Sequence, residues 1–192
     1  MIVGRISLGD RETFTPGSRG SIKPNPLQWN PQTIRALEVE SIRSFVERHK
    51  EYLAFGKVLD FGAGKPGTCR TPQPYRDLVA GEYHPWDLGD APLQVDAYSA
   101  VLCTQVLQYC EDPKTTVLWL RRWLKPGGVL VLTGPTNWEE VEESDLCRFT
   151  CSGIRKLLKS AGFHVVTCES RAEIDLGGAK FSLGYGVVAR RQ

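Results

Sequence analysis

Apolar residues along the chain follow two patterns, helical spacing and short continuous runs. The first helix is predicted to begin near Pro31, with Asn30 as its N-cap, and to end at Gly56. Residues 1–30 are rich in Gly, Pro, Ser and Arg and show neither pattern, which predicts an irregular N-terminal arm before one α/β domain over 31–192. The apolar positions that define the first helix are Ile34, Leu37, Ile42, Phe45, Val46 and Leu53.

Beyond the first helix, short apolar runs alternate with helical spacing. Asp112 and Pro113 predict the start of one helix, and Gly162 predicts the end of another. This alternation implies a doubly wound, mostly parallel sheet. The last two runs are separated by a polar, glycine-bearing segment, 171–180, so the last strand is predicted to be antiparallel. The predicted strands cover 58–61, 82–88, 98–104, 129–133, 165–168 and 185–189, and a brief helix is predicted over 73–79.

Composition and charge narrow the classes of function. The 192 residues are 41% hydrophobic and carry a formal net charge of +2, so no broad field attracts nucleic acid or an anionic membrane. No stretch approaches the roughly 20 apolar residues that span a bilayer, and the N-terminus does not resemble a secretory signal. We therefore expect a cytoplasmic protein without a membrane span.

The spacing of the cysteines favours free thiols over a metal site. Six are present, and none forms a CxxC pair. Cys147 and Cys151 stand four residues apart, and a zinc site that adds His84 or His164 is the weaker alternative, because metal sites usually show closer paired spacing. We expect reduced thiols and no metal.

The most informative loop follows the first predicted strand, where residues 58–67 read VLDFGAGKPG. Glycines let the backbone turn sharply and approach a ligand closely. In a doubly wound sheet this loop lies at the carboxyl edge of the first strand, where ligands bind. Gly62, Gly64 and Gly67 match the G-x-G-x-x-G spacing of dinucleotide-binding folds, and Asp87 follows twenty residues later.

Two features argue against a dinucleotide. A bound pyrophosphate needs a helix N-terminus directly behind the loop, but residues 68–74, TCRTPQP, cannot begin a regular helix. The carboxylate of Asp60 would repel a pyrophosphate, whereas it suits a cationic ammonium group such as that of S-adenosylmethionine. A nicotinamide-dependent oxidoreductase is therefore only a minor alternative.

Four segments in order resemble the motifs of class I, Rossmann-like S-adenosylmethionine-dependent methyltransferases. They are VLDFGAG at 58–64, SAVLCTQVLQY at 99–109, LKPGGVLVLTGP at 124–135 and DLCRFTCSGIRKLLKSAGF at 145–163. The resemblance covers about residues 57–190. It implies a seven-stranded sheet with an antiparallel seventh strand, and S-adenosylmethionine as the cofactor.

The resemblance also implies a cofactor site. It places Asp60 near the methionine ammonium group, Asp87 at the ribose hydroxyls and Asp90 at the adenine amino group. The stretch between Asp87 and Tyr98 is short for the family, which predicts a reduced adenine pocket. The full implied set is Asp60, Gly62, Ala63, Gly64, Asp87, Leu88, Asp90, Cys103, Thr104 and Gln105.

No catalytic residue is assigned. Methyl transfer from a sulfonium is an in-line displacement, and a base is needed only when the acceptor must lose a proton. Gln108 and Tyr109 stand where family members commonly carry Glu-His, which puts a base at that point in doubt. Asp145 and Arg148 are spaced as a local ion pair or, alternatively, as a substrate clamp. The candidate acceptor-binding residues are Tyr109, Asn137, Trp138, Asp145 and Arg148.

The absence of one motif from the sequence limits the class of methyl acceptor. Thr104-Gln105 stands in place of the Asn/Asp-Pro-Pro-Tyr motif of many amino-methylating DNA enzymes, so a sequence-specific DNA methyltransferase is not expected. A small-molecule, sugar or lipid-linked acceptor is the leading hypothesis. The alternative is a binding or scaffold protein that keeps the fold without turnover. The sequence leaves the oligomeric state open.

Overall fold

The computed structural model describes residues 31–65, 72–87, 90–138, 143–176 and 179–192, so the predicted arm over 1–30 lies outside the described residues. The described chain forms three α-helices and six strands. The helices are α1 (Pro31–Arg48), α2 (Pro113–Trp123) and α3 (Cys151–Ser160), and the strands are β1 (Lys57–Phe61), β2 (Glu82–Trp86), β3 (Tyr98–Thr104), β4 (Leu124–Pro135), β5 (Phe163–Leu176) and β6 (Ala179–Arg191).

The strands form one sheet in the order β2-β1-β3-β4-β6-β5. β1 pairs in parallel with β2 and β3, and β3 pairs in parallel with β4. β6 runs antiparallel to both β4 and β5. The α/β class and the antiparallel last strand are therefore confirmed. The strand order reverses between β1 and β3, and ligands of such sheets bind outside the carboxyl ends of the strands at this switch point.

The expected strand number is corrected, because the described residues form six strands and not seven. Only residues 87–97 connect β2 to β3. A single crossover between parallel strands takes about a dozen residues, so this connection has no room for a further strand with two crossovers. The shortness of the segment was visible in the sequence.

The start of α2 and the end of α3 lie where the sequence predicted them, at a side-chain cap and at a left-handed glycine. Asp112 Oδ1 accepts hydrogen bonds from the backbone N–H groups of Lys114 and Thr115, at 3.0 and 3.1 Å. Gly162 follows α3 with a φ of 82°, a left-handed conformation that favours glycine. The first helix is shorter than predicted, since α1 ends at Arg48 and a 3-10 turn, Lys50–Leu53, precedes Gly56.

The final hairpin is longer than predicted. β5 and β6 stay paired from Phe163 opposite Arg191 to Leu176 opposite Ala179, so most of the polar segment 171–180 belongs to strands. Polarity misled the prediction here because backbone hydrogen bonds hold an antiparallel pair whatever its side chains. The guanidinium of Arg171 is moreover buried and paired, and its side chain is only 2% exposed.

The two faces of the sheet bury separate clusters. Leu59, Val101 and Leu130 belong to the cluster on the side of α2 and α3. Val58, Ala100 and Val131 belong to the cluster on the side of α1. This alternation is what a sheet covered on both faces requires, and it leaves α1 beside the edge where β1 and β3 end.

Replacement of Gly186 tests the seating of α1. A Cβ at Gly186 would lie 2.5 Å from the ring of Phe45 in α1. We expect Gly186→Ala to lower the free energy of unfolding by about 1–3 kcal/mol through overpacking. Chemical denaturation measures it. Gly153→Ala in α3 is the control, because its Cβ meets only ordinary contacts and should leave stability unchanged or raised. Equal stability of the Gly186 variant and wild type would contradict this packing.

Candidate functional site

The glycine loop is fixed at the carboxyl edge of the sheet by backbone contacts. Gly62 N and Ala63 N both donate to Trp86 O at the end of β2, at 2.9 and 3.2 Å. Gly62 has a φ of 78°, and a Cβ there would lie 2.4 Å from Cγ2 of Val106 in the segment after β3. Glycine is therefore required at this position, because the loop passes between the ends of β2 and β3.

Asp60, the fourth residue of β1, places a buried carboxylate behind this loop. The residue is 2% exposed, and its Oδ2 accepts a hydrogen bond of 2.6 Å from the Tyr83 hydroxyl. Burial raises the pKa of Asp60 to about 6, the Tyr83 hydrogen bond opposes that rise, and the charge of Asp87 adds to it. A carboxylate that ionises at such a position is costly without a cationic partner.

The segment after β2 places two more predicted acids at the same edge. Asp90 Oδ2 accepts from the backbone N–H of Asp87 at 2.7 Å, and Asp90 Oδ1 lies 2.7 Å from Lys65 Nζ in the glycine loop. The hydrogen bond from Lys65 lowers the pKa of Asp90. The Asp90 carboxylate thus joins the loops after β1 and β2, a role that competes with the predicted adenine contact. Leu88 lies outside the described residues.

The end of β3 carries a strained residue. Gln105 has a φ of 57°, a left-handed conformation that typically costs a non-glycine residue about 1–3 kcal/mol. Its backbone N–H donates to Thr133 O at 3.0 Å, and its carbonyl accepts from Gln108 Nε2 at 3.0 Å. Thr104, just before it, is the last residue of β3. The side chain of Cys103 is fully buried in the core, so only its backbone is at this edge.

A cavity of about 220 Å³ adjoins Gln105. Its walls come from α1, from the segment after β3 and from the loop after β4. Four of the five predicted acceptor residues line it, namely Tyr109, Trp138, Asp145 and Arg148. Asn137 is not among the lining residues and donates instead through Nδ2 to Ser182 O at 2.9 Å.

Asp145 and Arg148 form the local ion pair that their spacing indicated. The two guanidinium Nη atoms of Arg148 contact the two carboxylate oxygens of Asp145, whose side chain is 1% exposed. The backbone N–H of Leu146 donates to Gln108 O at 2.7 Å, which ties this loop to the segment after β3. The pair is therefore structural within the cavity wall, and it also faces the cavity space.

Sequence reasoning missed the contribution of α1 and of Gln108 to the cavity. Glu38 is 7% exposed and lies 3.1 Å from Arg171 Nη2 through Oε1. A signal was present, since Glu38 falls four residues after Ile34 and four before Ile42, on the apolar stripe of the helix. An acid in such a stripe marks a buried carboxylate that needs a partner.

Comparison with known proteins gives one family match, which covers the central part of the chain. Residues 59–132, from β1 into β4, match the family described as a methyltransferase domain. No curated protein matches the sequence. The matched segment and the ordered motifs make the chain similar to the class I S-adenosylmethionine-dependent methyltransferases. This likeness supports methyl transfer as the reaction and S-adenosylmethionine as the cofactor.

Solved structures show the same fold for this methyltransferase. An S-adenosylmethionine-dependent methyltransferase from Mesorhizobium loti is 15% identical, with 80% of this chain and 99% of that chain covered and a TM-score of 0.57. The 1,6-didemethyltoxoflavin-N1-methyltransferase of Burkholderia thailandensis, solved with 1,6-didemethyltoxoflavin and S-adenosylhomocysteine, is 15% identical, with 82% of each chain covered and a TM-score of 0.56. The cyclase SpnF is 15% identical over 76% of this chain and 80% of that chain, with a TM-score of 0.50.

The residues at the carboxyl edge of the methyltransferase fit the cofactor. The buried carboxylate of Asp60 needs a cationic partner, and the methionine part of the cofactor carries an ammonium group. Gly62 and Gly64 both have positive φ and present backbone without side chains at the switch point. A ligand that is cationic at one end and polar at the other suits this edge.

The described residues contain neither a candidate metal cluster nor a helix that could span a membrane. No cluster of three or more His, Cys, Asp or Glu side chains there could hold a metal ion. His84 instead makes a 2.6 Å hydrogen bond through Nδ1 with the Tyr98 hydroxyl. None of the helices described is long and apolar enough to cross a membrane.

The raised pKa of Asp60 predicts an unusual pH dependence of stability. Because the pKa rises from 3.8 to about 6 on folding, the wild type is expected to lose about 3 kcal/mol of unfolding free energy as pH rises from about 4 to about 7. Asp60→Asn keeps an oxygen for Tyr83 but cannot ionise. Relative to wild type, the free energy of unfolding of Asp60→Asn should therefore rise by about 3 kcal/mol over the same pH interval. Denaturation at each pH measures this difference.

Tyr83→Phe provides the complementary variant. Loss of the phenol donor should move the midpoint of the pH dependence upward, because the Tyr83 hydrogen bond lowers the pKa of Asp60. Parallel pH profiles for wild type and Asp60→Asn would show that Asp60 does not titrate as described.

Proposed function

We propose that this methyltransferase transfers a methyl group to a small molecule bound in the cavity between α1 and the segments after β3 and β4. The observation that carries the proposal is the position of Gln105, which lines the cavity, while the next residue, Val106, lies directly against Gly62 of the glycine loop. An acceptor in the cavity would thus lie beside the cofactor, as an in-line displacement requires.

The cofactor site is proposed from the residues at the carboxyl edge. Asp60 accepts from the ammonium group, and the backbone of Gly62–Gly64 lies along the methionine and ribose. Asp87 accepts from the ribose hydroxyls, while Thr104 and Gln105 border the methionine end. The bound cofactor supplies the methyl group on a sulfonium together with its thioether leaving group. The protein aligns the acceptor and excludes water.

The size of the cavity favours a compact acceptor. Its volume of about 220 Å³ is below the roughly 300–1,000 Å³ of pockets for drug-sized ligands. The Burkholderia enzyme, whose structure holds the small heterocycle 1,6-didemethyltoxoflavin, is an example of such chemistry on this fold. A sugar or lipid-linked acceptor would insert only the end that is methylated. A cytoplasmic location is part of this proposal.

A binding or scaffold protein without turnover is the second candidate. It is favoured by Gln108 and Tyr109, which stand where the family commonly has Glu-His, and by the short connection over 87–97. The cyclase SpnF is a reminder that the fold alone does not determine the reaction. Cofactor binding without methyl transfer to any member of a broad acceptor panel would support this candidate.

Cofactor binding should depend on the charge of Asp60. We expect saturable binding of S-adenosylmethionine and S-adenosylhomocysteine at pH 8 that weakens as pH falls through about 6, since a protonated Asp60 no longer attracts the ammonium group. Asp60→Asn should weaken binding about 10- to 100-fold at pH 8 and remove the pH dependence. Isothermal titration calorimetry measures both. The absence of saturable binding by the folded wild type would refute the proposed function.

Alanine substitutions at Gly62 and at Gly127 form a matched pair that tests the glycine loop. Gly62 and Gly127 have φ values of 78° and 76°, so alanine strains the backbone at both positions. A Cβ at Gly62 meets Val106, whereas a Cβ at Gly127 meets nothing within 4 Å. We expect Gly62→Ala to weaken S-adenosylhomocysteine binding at least tenfold and Gly127→Ala to leave it unchanged. Equal affinities of two folded variants would remove the loop from the site.

A further inference from the structure

Two buried oxygens in the cavity wall have no hydrogen-bond donor among the described residues. Among the described residues three buried side-chain polar atoms are unpartnered, and two of them, Glu38 Oε2 and Gln108 Oε1, belong to residues that line the cavity. The residues are 7% and 5% exposed. Most buried polar groups in native proteins are satisfied, so two unpartnered oxygens in the wall of one cavity indicate a missing donor.

Neither side chain is placed to satisfy itself by rotation. Glu38 Oε1 is held 3.1 Å from Nη2 of Arg171, and Arg171 is fixed in turn by Nε donating to Tyr185 O at 2.8 Å. Gln108 Nε2 donates to Gln105 O at 3.0 Å, which sets the orientation of the amide and leaves Oε1 as the unpaired end. Both oxygens are therefore presented as acceptors by groups that are locked in place.

The rest of the cavity selects the chemistry of the missing donor. Val39, Ile42, Pro135 and Trp138 provide apolar wall. The positive charge of Arg148 is engaged by Asp145, and that of Arg171 is engaged by Glu38. Arg35, the remaining cationic residue of the lining, is exposed. An anionic ligand deeper in the cavity would therefore meet the carboxylates of Glu38 and Asp145 and the amide oxygen of Gln108, whereas a ligand with N–H donors on an apolar skeleton would complement the two unpartnered oxygens and the apolar wall.

We propose that the cavity binds a small amine, whose N–H groups donate to Glu38 Oε2 and Gln108 Oε1 while its carbon skeleton packs on Val39 and Trp138. The proposal deepens the proposed function and rests on it for one step, in which the bound amine is the methyl acceptor. In that step the amine, in its neutral form, would attack the methyl carbon with its nitrogen lone pair, the carbon–sulfur bond of the sulfonium would break to leave a thioether, and the methylated nitrogen would release its extra proton to solvent. Binding of the amine itself depends only on the cavity. Glu38 and Gln108 are then determinants of acceptor class.

Benzylamine is a suitable probe because it combines a donor group with a compact apolar ring. Calorimetric titration of the full chain without cofactor should show saturable binding of benzylamine and at least tenfold weaker binding of benzoate and of benzyl methyl ether. Glu38→Gln and Gln108→Met should each weaken benzylamine binding at least tenfold, as expected for the loss of a buried hydrogen bond to a charged group.

Glu40→Gln is the matched control, since Glu40 lies two residues further along α1, is exposed and does not line this cavity. It should bind benzylamine like wild type. Thermal unfolding checks each variant, because Glu38→Gln also removes the charge that faces Arg171. Gln108→Met leaves that ion pair in place, so it tests the proposal even where Glu38→Gln does not fold.

Titration of the same samples with S-adenosylhomocysteine separates the two proposals. Benzylamine binding that is lost in the Gln108 variant while cofactor affinity is kept supports the amine site. Wild type that binds cofactor but prefers benzoate, or binds no probe, overturns the amine site alone. Amine binding without cofactor binding supports the amine site and overturns the proposed function.

Discussion

The site depends most on the hydrogen bonds and the ion pair made by the buried guanidinium of Arg171. From β5 it donates to Tyr185 O of β6, to Gly134 O of β4, and to Ser41 and Glu38 of α1. One side chain thus joins three strands to the helix that covers the cavity. Removal of one member of a buried ion pair typically costs about 3–5 kcal/mol, since the other charge is left unpaired. Loss of Arg171 would therefore affect both stability and the shape of the cavity.

The carboxylate of Asp60 is a second buried ionisable group, and it differs from Arg171 in its partners. Arg171 is satisfied by the protein, whereas the side-chain partner of the Asp60 carboxylate among the described residues is a neutral phenol, that of Tyr83, and burial raises the pKa of Asp60 to about 6. Such a group lowers the stability of the protein without ligand and gains its compensation from a cation. Destabilising groups of this kind are typical of functional sites, where binding rather than folding determines which residue is present.

The sequence predicted those features that depend on local chemistry. Asp112 and Gly162 marked helix ends because capping needs only nearby backbone, and the burial of β3 was legible in its continuous apolar run. The length of the β5–β6 hairpin was not legible, since its pairing depends on backbone partners distant in sequence. The same holds for the cavity, because its walls join residues of α1 to residues more than 60 positions later. The sequence anticipated Tyr109, Trp138, Asp145 and Arg148 as acceptor residues and Gln105 as a cofactor residue, but not the residues of α1.

Glu38 shows why the part of the site that was not predicted from the sequence matters for the choice of acceptor. In the sequence it stands on the apolar stripe of a helix that carries several acids, and the packing of α1 against β5 and β6 makes it a buried carboxylate. The methyl-transfer reaction asks little of the protein beyond alignment, so the cavity walls decide which acceptor is used. The residues that fix the cofactor are recognisable from local motifs, whereas the residues that choose the acceptor come from tertiary packing. The family match over 59–132 therefore supports methyl transfer as the reaction, whereas the acceptor depends on cavity walls that only the fold brings together from α1, Gln108 and the loop after β4.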